Sequence, residues 1–392
     1  MIEDFKRFAI HLIKHIQMAS IYIENYGCTA NYDDGAIIAG ILTESGHIIV
    51  KDIEESDIVI INSCAVKNVT VNTIFRQIEN VNETNKKLII TGCMPIAEKS
   101  KLDKLLKKGM GLVSTQNISK ISNVVESVIA NEQVVLTNKN KETKLGLPKI
   151  ISDKRIASIQ ISHGCLSTCT FCSTKLAKGN LISYPKEQIT EEVKKYADLG
   201  YKRINLTSTD NACYGFDLGY NLVDLLKEVV SIEGDFIIRV GMGNPEHTRK
   251  YIYELIEIYK NPKIMKFAHF PVQSGSNNIL KEMKRNHTIE EFEEIVNQFR
   301  KEIPGISIST DIIVGYPTET EDDFRQTVEM VKRLKFEVMN ISKFASRTGT
   351  RASKLKQLKT HDIKRRSIEL TNVYNEIKQE NKEIKKRLVV LN

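Results

Sequence analysis

Three cysteines, Cys165, Cys169 and Cys172, stand four and three positions apart near the middle of the chain. They follow an apolar run at residues 156–161, which predicts a buried strand that ends just before them. A loop with these spacings can place three thiolates around one corner of an iron–sulfur cube. Structural zinc sites and electron-transfer clusters usually have four protein ligands, whereas three ligands leave one iron open to a reacting molecule. The alternative is three structural thiols, or a zinc ion completed by His163, although closed zinc sites rarely use this spacing.

Three more cysteines, Cys28, Cys64 and Cys93, stand alone in the first quarter of the chain. Each lies just past the carboxyl end of a predicted parallel strand, and in open α/β sheets that edge is where ligands bind. Gly27 and Gly92 permit the tight turns that aim the thiolates. Any one of these cysteines alone is best explained as an ordinary buried residue. Three at equivalent strand ends rarely arise by chance, so we expect them to converge on a second iron–sulfur cluster.

The seventh cysteine, Cys213, is expected to be a spare thiol, because both sites already have three ligands. Residues 1–17 do not resemble a signal peptide, since charges interrupt every apolar stretch and no small-residue cleavage site follows. Without a secretory signal the cysteines should be reduced, which favours metal or cluster ligation over disulfides. The expected location is therefore the cytoplasm.

Length and charge set further limits on the function. A chain of 392 residues is too long for one small core and suggests two or three domains. The net charge of +8 permits a polyanionic partner such as RNA without establishing one. No stretch approaches the ~20 consecutive apolar residues of a membrane span, so no membrane association is expected.

The periodicity of the first third predicts an α/β domain. Residues 1–17 are expected to form an amphipathic N-terminal extension, and residues 18–130 a domain that carries the second cluster. Continuous apolar strands such as 58–61 indicate a parallel sheet covered on both faces, hence a doubly wound, flavodoxin-like fold. The predicted strands are 21–25, 47–50, 57–62, 87–91 and 111–114, and the predicted helices are 33–42, 68–81, 96–107 and 118–130.

The rest of the chain predicts a second α/β domain. Residues 131–153 are polar, rich in lysine and weakly periodic, which is typical of an interdomain linker. Six strand–helix units within residues 154–350 indicate an incomplete (β/α)6 barrel, with its chemistry at the carboxyl ends of the strands. The predicted strands are 156–161, 203–208, 236–240, 264–270, 305–314 and 337–343. Residues 351–392 are expected to contain a charged helix with a thin apolar stripe.

With both cysteine sets placed, residues 18–387 resemble the radical S-adenosylmethionine (SAM) methylthiotransferases. Segments of the family type occur at residues 209–215, 269–276, 310–317 and 346–350. The runs 169–179 and 181–185 most resemble the archaeal and eukaryotic branch, which acts on N6-threonylcarbamoyladenosine in tRNA. Family members usually end in a small RNA-binding β-barrel called TRAM. Residues 388–391 are expected to be its first strand, with the rest of that domain missing or truncated.

The resemblance implies the reaction and its cofactors. Breaking the unactivated C–H bond at carbon 2 of an adenine requires a cofactor radical, because no side chain is a strong enough base or oxidant. The Cys165/Cys169/Cys172 cluster is expected to be a 4Fe–4S cluster that binds and cleaves SAM. A second 4Fe–4S cluster would hold the sulfur or methylthio group, which a second SAM methylates. The implied partners are a tRNA anticodon stem-loop and an electron donor such as a flavodoxin or ferredoxin, and the implied state is a monomer.

The resemblance and the positions of strand ends also suggest further site residues. Phe171 resembles the family aromatic that packs near the adenine of SAM. Other candidates for contacts with SAM are Ser208, Asp210, Asn211, Arg239, Gln273, Ser274 and Asp311, with Arg239 proposed for its carboxylate. Candidates for contacts with the substrate are Lys175, Lys178, Arg203 and Arg347. Arg203, Arg239 and Arg347 are the candidate cations for the carboxylate of threonylcarbamoyladenosine. Ordinary strand-end polarity and surface lysines are the competing explanations.

Two other functions remain open at this point. One is the same chemistry on isopentenyladenosine in tRNA or on a ribosomal-protein aspartate. The other is a non-catalytic iron–sulfur protein that binds RNA or carries electrons. The complete cysteine triad and the barrel motifs argue against the second of these.

Overall fold

The structure, a computed structural model, describes the backbone of residues 18–390 and the side chains of residues 18–380. The helix expected at residues 1–17 lies outside this range. The chain divides into two compact units, Met1–Ser152 and Asp153–Asn392. Within the described residues, none of the helices combines the length and apolar character needed to span a membrane.

The first unit contains one parallel sheet of six strands in the order β2-β1-β3-β4-β5-β6. This is the flavodoxin-like order with one strand added, and it confirms the predicted doubly wound fold. The strands are β1 Ser20–Asn25, β2 Ile48–Val50, β3 Ile58–Ser63, β4 Lys87–Gly92, β5 Met110–Ser114 and β6 Val134–Leu136. The helices are α1 Thr29–Glu44, α2 Asn68–Asn82, α3 Met94–Ala97, α4 Lys99–Leu102 and α5 Ile121–Ile129.

Burial explains why the apolar runs became central strands. Every residue of β3 is buried, as expected for a strand covered by helices on both faces. One core cluster joins Ile58 and Ile60 of β3 to Ile37 of α1 and Val125 of α5. Burying a side chain of this size contributes about 1.5–3 kcal/mol, so this core holds the strand ends in place.

Two expectations for this unit were wrong. The predicted helix at 96–107 is two short helices that end at Leu102, because no side chain of 103–107 is buried to hold a longer one. The predicted linker, residues 131–153, is largely part of the first unit, since β6 pairs with β5. Two of its four lysines are also not solvated: Lys144 pairs with Asp34 at 2.5 Å, and Lys149 pairs with Asp33 at 2.9 Å. The positive charge of this segment suggested a linker, but the buried carboxylates of α1 neutralise these two lysines.

The second unit contains six parallel strands, as predicted for an incomplete barrel. Hydrogen bonds join β7-β10-β11 and β12-β13-β14, and a parallel bridge from Ile238 to Ile264 connects the two groups. The strands are β7 Ile156–Gln160, β10 Arg203–Thr207, β11 Ile237–Val240, β12 Phe267–His269, β13 Ser307–Val314 and β14 Val338–Lys343, with a short hairpin of β8 Ser162–His163 and β9 Ile182–Ser183. The helices are α6 Ser173–Lys178, α7 Lys186–Asp198, α8 Leu222–Ser231, α9 Pro245–Thr248, α10 Ile252–Tyr259, α11 Asn277–Glu282, α12 Ile289–Glu302, α13 Glu321–Leu334 and α14 Thr360–Val390.

The two faces of the barrel strands differ in character. Alternate residues such as Ile204, Ile238 and Ile308 are fully buried and apolar, which suits the face that the helices cover. The residues between them point into the barrel and are mostly polar: Ser158, Gln160, Arg203, Asn205, Thr207, Arg239, His269, Ser309, Asp311 and Asn340. The barrel therefore has a polar lumen.

The last helix, α14, packs on the barrel through a thin stripe that includes Leu370 and Ile377. The Tyr374 hydroxyl accepts a hydrogen bond from the Met339 amide at 2.9 Å, which ties the helix to β14. The expectation of a strand from residue 388 was wrong, because the backbone stays helical through Val390. The lysine- and glutamate-rich run before it favours continued helix.

Candidate functional site

The predicted radical-SAM loop lies at the carboxyl end of β7. The β8–β9 hairpin closes this loop, and the Cys165 amide donates to the Gly179 carbonyl at 3.3 Å. Gly164, just before the first cysteine, has φ +71°, and a Cβ there would lie 1.9 Å from the Asn180 carbonyl oxygen. Only glycine fits this position, because both the backbone conformation and the close approach exclude a side chain.

This contact predicts a large effect of Gly164→Ala on the loop. Gly200→Ala is the matched control, since Gly200 has φ +82° but a Cβ at that position would have nothing within 4 Å of it. We expect Gly200→Ala to cost about 1–2 kcal/mol from its left-handed backbone alone. Gly164→Ala should cost more and should also reduce iron uptake by the second unit, because the hairpin must open. Melting temperature and iron content measure the two effects; equal losses in both variants would contradict this account.

The second half of the loop is anchored by Thr170. Its amide donates to the Met283 carbonyl at 3.1 Å, and its hydroxyl lies 2.9 Å from the Tyr316 hydroxyl. Its carbonyl accepts from the Ala352 amide at 3.0 Å. Phe171 packs against the apolar cluster around Tyr316 and Ala352. The part of the loop that carries Cys169 and Cys172 is therefore held by the segments that follow β12, β13 and β14. Whether Phe171 also contacts adenine stays a prediction.

The three thiols offer the donor set of an open 4Fe–4S site. Each is half-buried, and N–H groups point at two of them: the Lys175 amide lies 3.3 Å from Cys172 Sγ, and Arg285 Nη1 lies 3.6 Å from Cys169 Sγ. Burial raises the pKa of Cys169, and raises that of Cys172 to about 11. Cys169 and Cys172 are thus protonated without a metal, and ligation must release their protons. N–H donors stabilise the thiolates that result.

Cys213 lies next to this loop and contacts one of its cysteines, and its description as a spare thiol rather than a ligand stays a prediction. Its sulfur, that of Cys165 and a carboxylate oxygen of Asp210 lie within 4.8 Å of one another. A hydrogen bond from Cys213 lowers the pKa of Cys165. Cys213 is fully buried, and its thiol also contacts the Asp210 carbonyl at 3.3 Å. The signal in the sequence was its place just after β10, at the same edge of the barrel as the cysteine loop.

The residues after β10 mostly bind other parts of the protein. Asp210 is buried, and its carboxylate contacts His247 Nδ1 at 2.8 Å and accepts from the Asn244 amide at 2.9 Å. Asn211 is fully buried; its amide group donates to the Leu206 carbonyl at 2.9 Å and accepts from the Ser208 hydroxyl. Direct contacts of these side chains with SAM remain predictions, and their observed contacts tie the segment after β10 to β10 itself and to the segment after β11.

The candidates on later strands are closer to the lumen. Asp311 accepts from Asn340 Nδ2 at 2.8 Å and lies 3.1 Å from His269 Nε2, which supplies the polar partners expected for it. Gln273 has φ +80°, and its amide donates to the Asp311 carbonyl at 2.8 Å. A left-handed non-glycine residue costs about 1–3 kcal/mol and often marks a functional site. Ser274 is buried beside Thr327, so Gln273 is the stronger candidate of the two for a contact with SAM.

The predicted substrate cations have different surroundings. Lys175 Nζ donates to the Cys165 carbonyl at 2.5 Å, so it braces the cysteine loop. Lys178 and Arg347 are buried, at 4% and 6% exposure, and neither is the exposed cation that a phosphate on the surface would need. Arg203 is the first residue of β10 and lies at the amino end of that strand, far from the loop. Arg239 faces the lumen, with its guanidinium 4.9 Å from the centre of the Phe267 ring.

The three solitary cysteines of the first unit follow adjacent strands of the sheet, β1, β3 and β4. One carbonyl ties their loops together: that of Ser63 accepts from Asn31 Nδ2 at 2.8 Å and from the Cys93 amide at 3.0 Å. Asn31 in turn lies 3.6 Å from Cys28 Sγ. A Cβ on Gly27 would lie 3.1 Å from Cys64 Sγ, so the loop before Cys28 passes directly beside the second thiol. Three thiols on neighbouring loops fit a cluster with three protein ligands.

Two family comparisons cover most of both units. Residues 159–331 match the Radical SAM superfamily, and residues 20–113 match the family described as Uncharacterized protein family UPF0004. A solved radical S-adenosylmethionine methyltransferase, TsrM from Kitasatospora setae, aligns with a TM-score of 0.61 at 14% identity, over 85% of this chain and 75% of that one. At that identity the likeness shows the fold alone. Fold, cysteine loop and superfamily match together define a radical SAM enzyme that uses SAM and a 4Fe–4S cluster.

Comparison with curated relatives identifies the family within the radical SAM enzymes to which the chain belongs. The chain is 43% identical over 379 residues to the probable threonylcarbamoyladenosine tRNA methylthiotransferase of Pyrococcus abyssi, covering 95% of this chain and 88% of that one. It is 37% identical over 380 residues to the Homo sapiens threonylcarbamoyladenosine tRNA methylthiotransferase, covering 95% of this chain and 65% of that one. The chain belongs to the threonylcarbamoyladenosine tRNA methylthiotransferase family, as the resemblance implied.

Proposed function

We propose that this enzyme converts N6-threonylcarbamoyladenosine, next to the anticodon of a tRNA, into its 2-methylthio derivative. The observation that carries the proposal is a pair of three-cysteine sites, one on each unit, in a chain that shares 37–44% identity with relatives named for this substrate. SAM and a 4Fe–4S cluster together supply the radical chemistry that an unactivated C–H bond demands. Two three-thiolate sites suit a reaction that needs both a radical source and a place for sulfur.

The chain's own residues then divide the work between the units. Cys165, Cys169 and Cys172 would hold the cluster that binds SAM. Cys28, Cys64 and Cys93 would hold a second 4Fe–4S cluster, supported by the Ser63 and Asn31 hydrogen bonds that draw their loops together. The substrate is tRNA, and the net charge of +8 favours its polyanionic backbone. A flavodoxin or ferredoxin would supply electrons, and a monomer would suffice because each chain carries both cysteine sets.

The substrate proposal predicts a preference between two modified tRNAs. Threonylcarbamoyladenosine carries a carboxylate beside the base, whereas isopentenyladenosine carries only an apolar tail. A site built for the charged group should reject the apolar one by about 10²-fold or more in kcat/KM, since its polar groups would be left unpaired. The measurement is nucleoside mass spectrometry after turnover of each tRNA with saturating SAM.

The control for this comparison is the unmodified tRNA, which reports binding of the RNA without either group. Equal or faster methylthiolation of the isopentenyl tRNA would contradict the substrate proposal while leaving the radical SAM class intact. Nucleoside analysis of tRNA from a deletion strain tests the same proposal in the cell, where the 2-methylthio derivative should disappear.

A further inference from the structure

Two arginines share the inward face of the barrel on neighbouring strands. The register pairs Arg203 with Ile237 and Asn205 with Arg239, so the arginines are diagonal neighbours on one face. With strands about 4.8 Å apart and about 3.3 Å of rise per residue, diagonal neighbours lie about 8 Å apart, within reach of two long guanidinium side chains. The pKa of Arg239 is lowered first by burial and then by the nearby charge of Arg203.

Neither arginine has an acidic partner within the described side chains. Arg239 is stacked over Phe267, and the Nε atom of Arg203 is buried without a hydrogen bond. Asp153, an acid within electrostatic reach of Arg203, is paired with Arg155 instead. Other arginines of this unit do have carboxylates, as the pairs Arg366–Glu319, Arg300–Glu337 and Arg333–Glu293 show. An unneutralised pair of like charges in a partly desolvated lumen is costly, and an anionic ligand would remove that cost.

The rest of the lumen does not supply the missing charge. Among the inward-facing residues of the six strands, Asp311 is the acidic one, and it stands on β13. Its carboxylate is engaged by Asn340 and lies 3.1 Å from His269. One wall of the lumen is therefore cationic and the other carries a carboxylate that already has partners.

Depth separates this pair from the cysteine loop. Gln160 and Thr207 form the inward layer at the carboxyl ends of β7 and β10, and the cysteine loop begins beyond that end. At ~3.3 Å per residue, the Arg239 layer lies about 7 Å below this end and Arg203 about 13 Å below it. An anion that reaches both side chains must belong to a molecule that extends into the barrel, away from the cysteines.

We propose that Arg203 and Arg239 form an anion subsite that binds the carboxylate of the substrate's threonylcarbamoyl group. The proposal rests on the proposed function and assigns the residues that read its substrate. A guanidinium group matches a carboxylate with two parallel N–H donors, and the Phe267 ring bounds the site on one side. The subsite distinguishes the charged nucleoside from an apolar one because only the substrate's carboxylate can neutralise the two arginines, which the protein's own carboxylates leave unpaired.

The test compares two RNAs that differ by one charge. Anticodon stem-loops carrying threonylcarbamoyladenosine, as the free acid or its methyl ester, are titrated onto the cluster- and SAM-loaded protein without reductant, so that no turnover occurs. We expect the acid to bind the wild type about 10- to 100-fold more tightly than the ester. Arg239→Gln and Arg203→Gln should bring this ratio close to one while the ester binds as before. Arg239→Lys should keep part of the preference for the acid over the ester, because lysine keeps the positive charge but lacks the two parallel N–H donors of a guanidinium group.

The matched control is Arg325→Gln, which removes an arginine on α13 of the same unit whose side chain is 53% exposed. It should leave the acid-to-ester ratio unchanged. Iron content and SAM binding are measured for every variant, and Arg239→Lys and Arg203→Gln carry the test if Arg239→Gln fails to fold.

Three results would overturn the subsite. Equal weakening of acid and ester in the arginine variants would assign these side chains to an RNA phosphate. Loss of SAM affinity with an unchanged ratio would assign them to the SAM carboxylate. A wild type that binds acid and ester alike would remove the subsite altogether. Failure of the proposed function has a different signature, namely a wild type that prefers the isopentenyl stem-loop over both threonylcarbamoyl forms.

Discussion

Replacing Cys165, Cys169 and Cys172 together by alanine is expected to leave about half of the iron of the fully reconstituted enzyme, all of it in the first unit. The physical reason is that each unit carries its own three thiols and its own core, so the Cys28, Cys64 and Cys93 site does not depend on the barrel. Reductive cleavage of SAM and methylthiolation should both be lost. Anaerobic reconstitution followed by iron and sulfide analysis measures the first effect, and product analysis measures the second.

The matched control is Cys213→Ser, which alters a buried thiol beside Cys165 but removes no member of either three-cysteine set. It should retain the iron of both sites. Loss of all iron in the triple variant, or no loss at all, would show that the two sites are not independent. Loss of half the iron in Cys213→Ser would instead make Cys213 a ligand.

Replacing Cys28, Cys64 and Cys93 together by alanine is expected to abolish methylthiolation while SAM is still cleaved under reducing conditions. The barrel loop retains its three thiols, its hairpin and its anchor at Thr170, none of which uses a residue of the first unit. Release of 5′-deoxyadenosine and formation of the 2-methylthio nucleoside are measured in the same reaction. The first should persist and the second should fall below detection.

Burial differs among these cysteines and provides the control for folding. Cys64 and Cys93 are 7% and 4% exposed, so their removal also affects packing, whereas Cys28 is exposed. Cys28→Ala alone therefore removes a proposed ligand at little cost in stability, and it should reproduce the loss of methylthiolation. If the folded triple variant stopped cleaving SAM, the proposed division of labour between the units would be wrong.

Local patterns in the sequence were sufficient for most of the strands and for grouping the cysteines into two sets. The apolar run 58–61 could only be a strand buried on both faces, and β3 is one. The spacing of Cys165, Cys169 and Cys172 confines three thiols to one loop whatever surrounds them. Cys28, Cys64 and Cys93 lie far apart in sequence, but parallel strands share an edge, so the topology already placed them on neighbouring loops.

Residue type alone misjudged several charged and polar side chains, because their environment depends on partners distant in sequence. Lysines such as Lys144 suggested a solvated linker until the buried Asp34 neutralised one of them. Cys213 looked idle because its neighbour Cys165 lies on another strand's loop. Arg203 was predicted to contact the substrate and Arg239 the SAM carboxylate, with ordinary strand-end polarity as the competing explanation. The register of β10 and β11 places both arginines on the same inward face of the barrel. Whether such side chains are buried, and whether a carboxylate neutralises them, is decided by the tertiary structure.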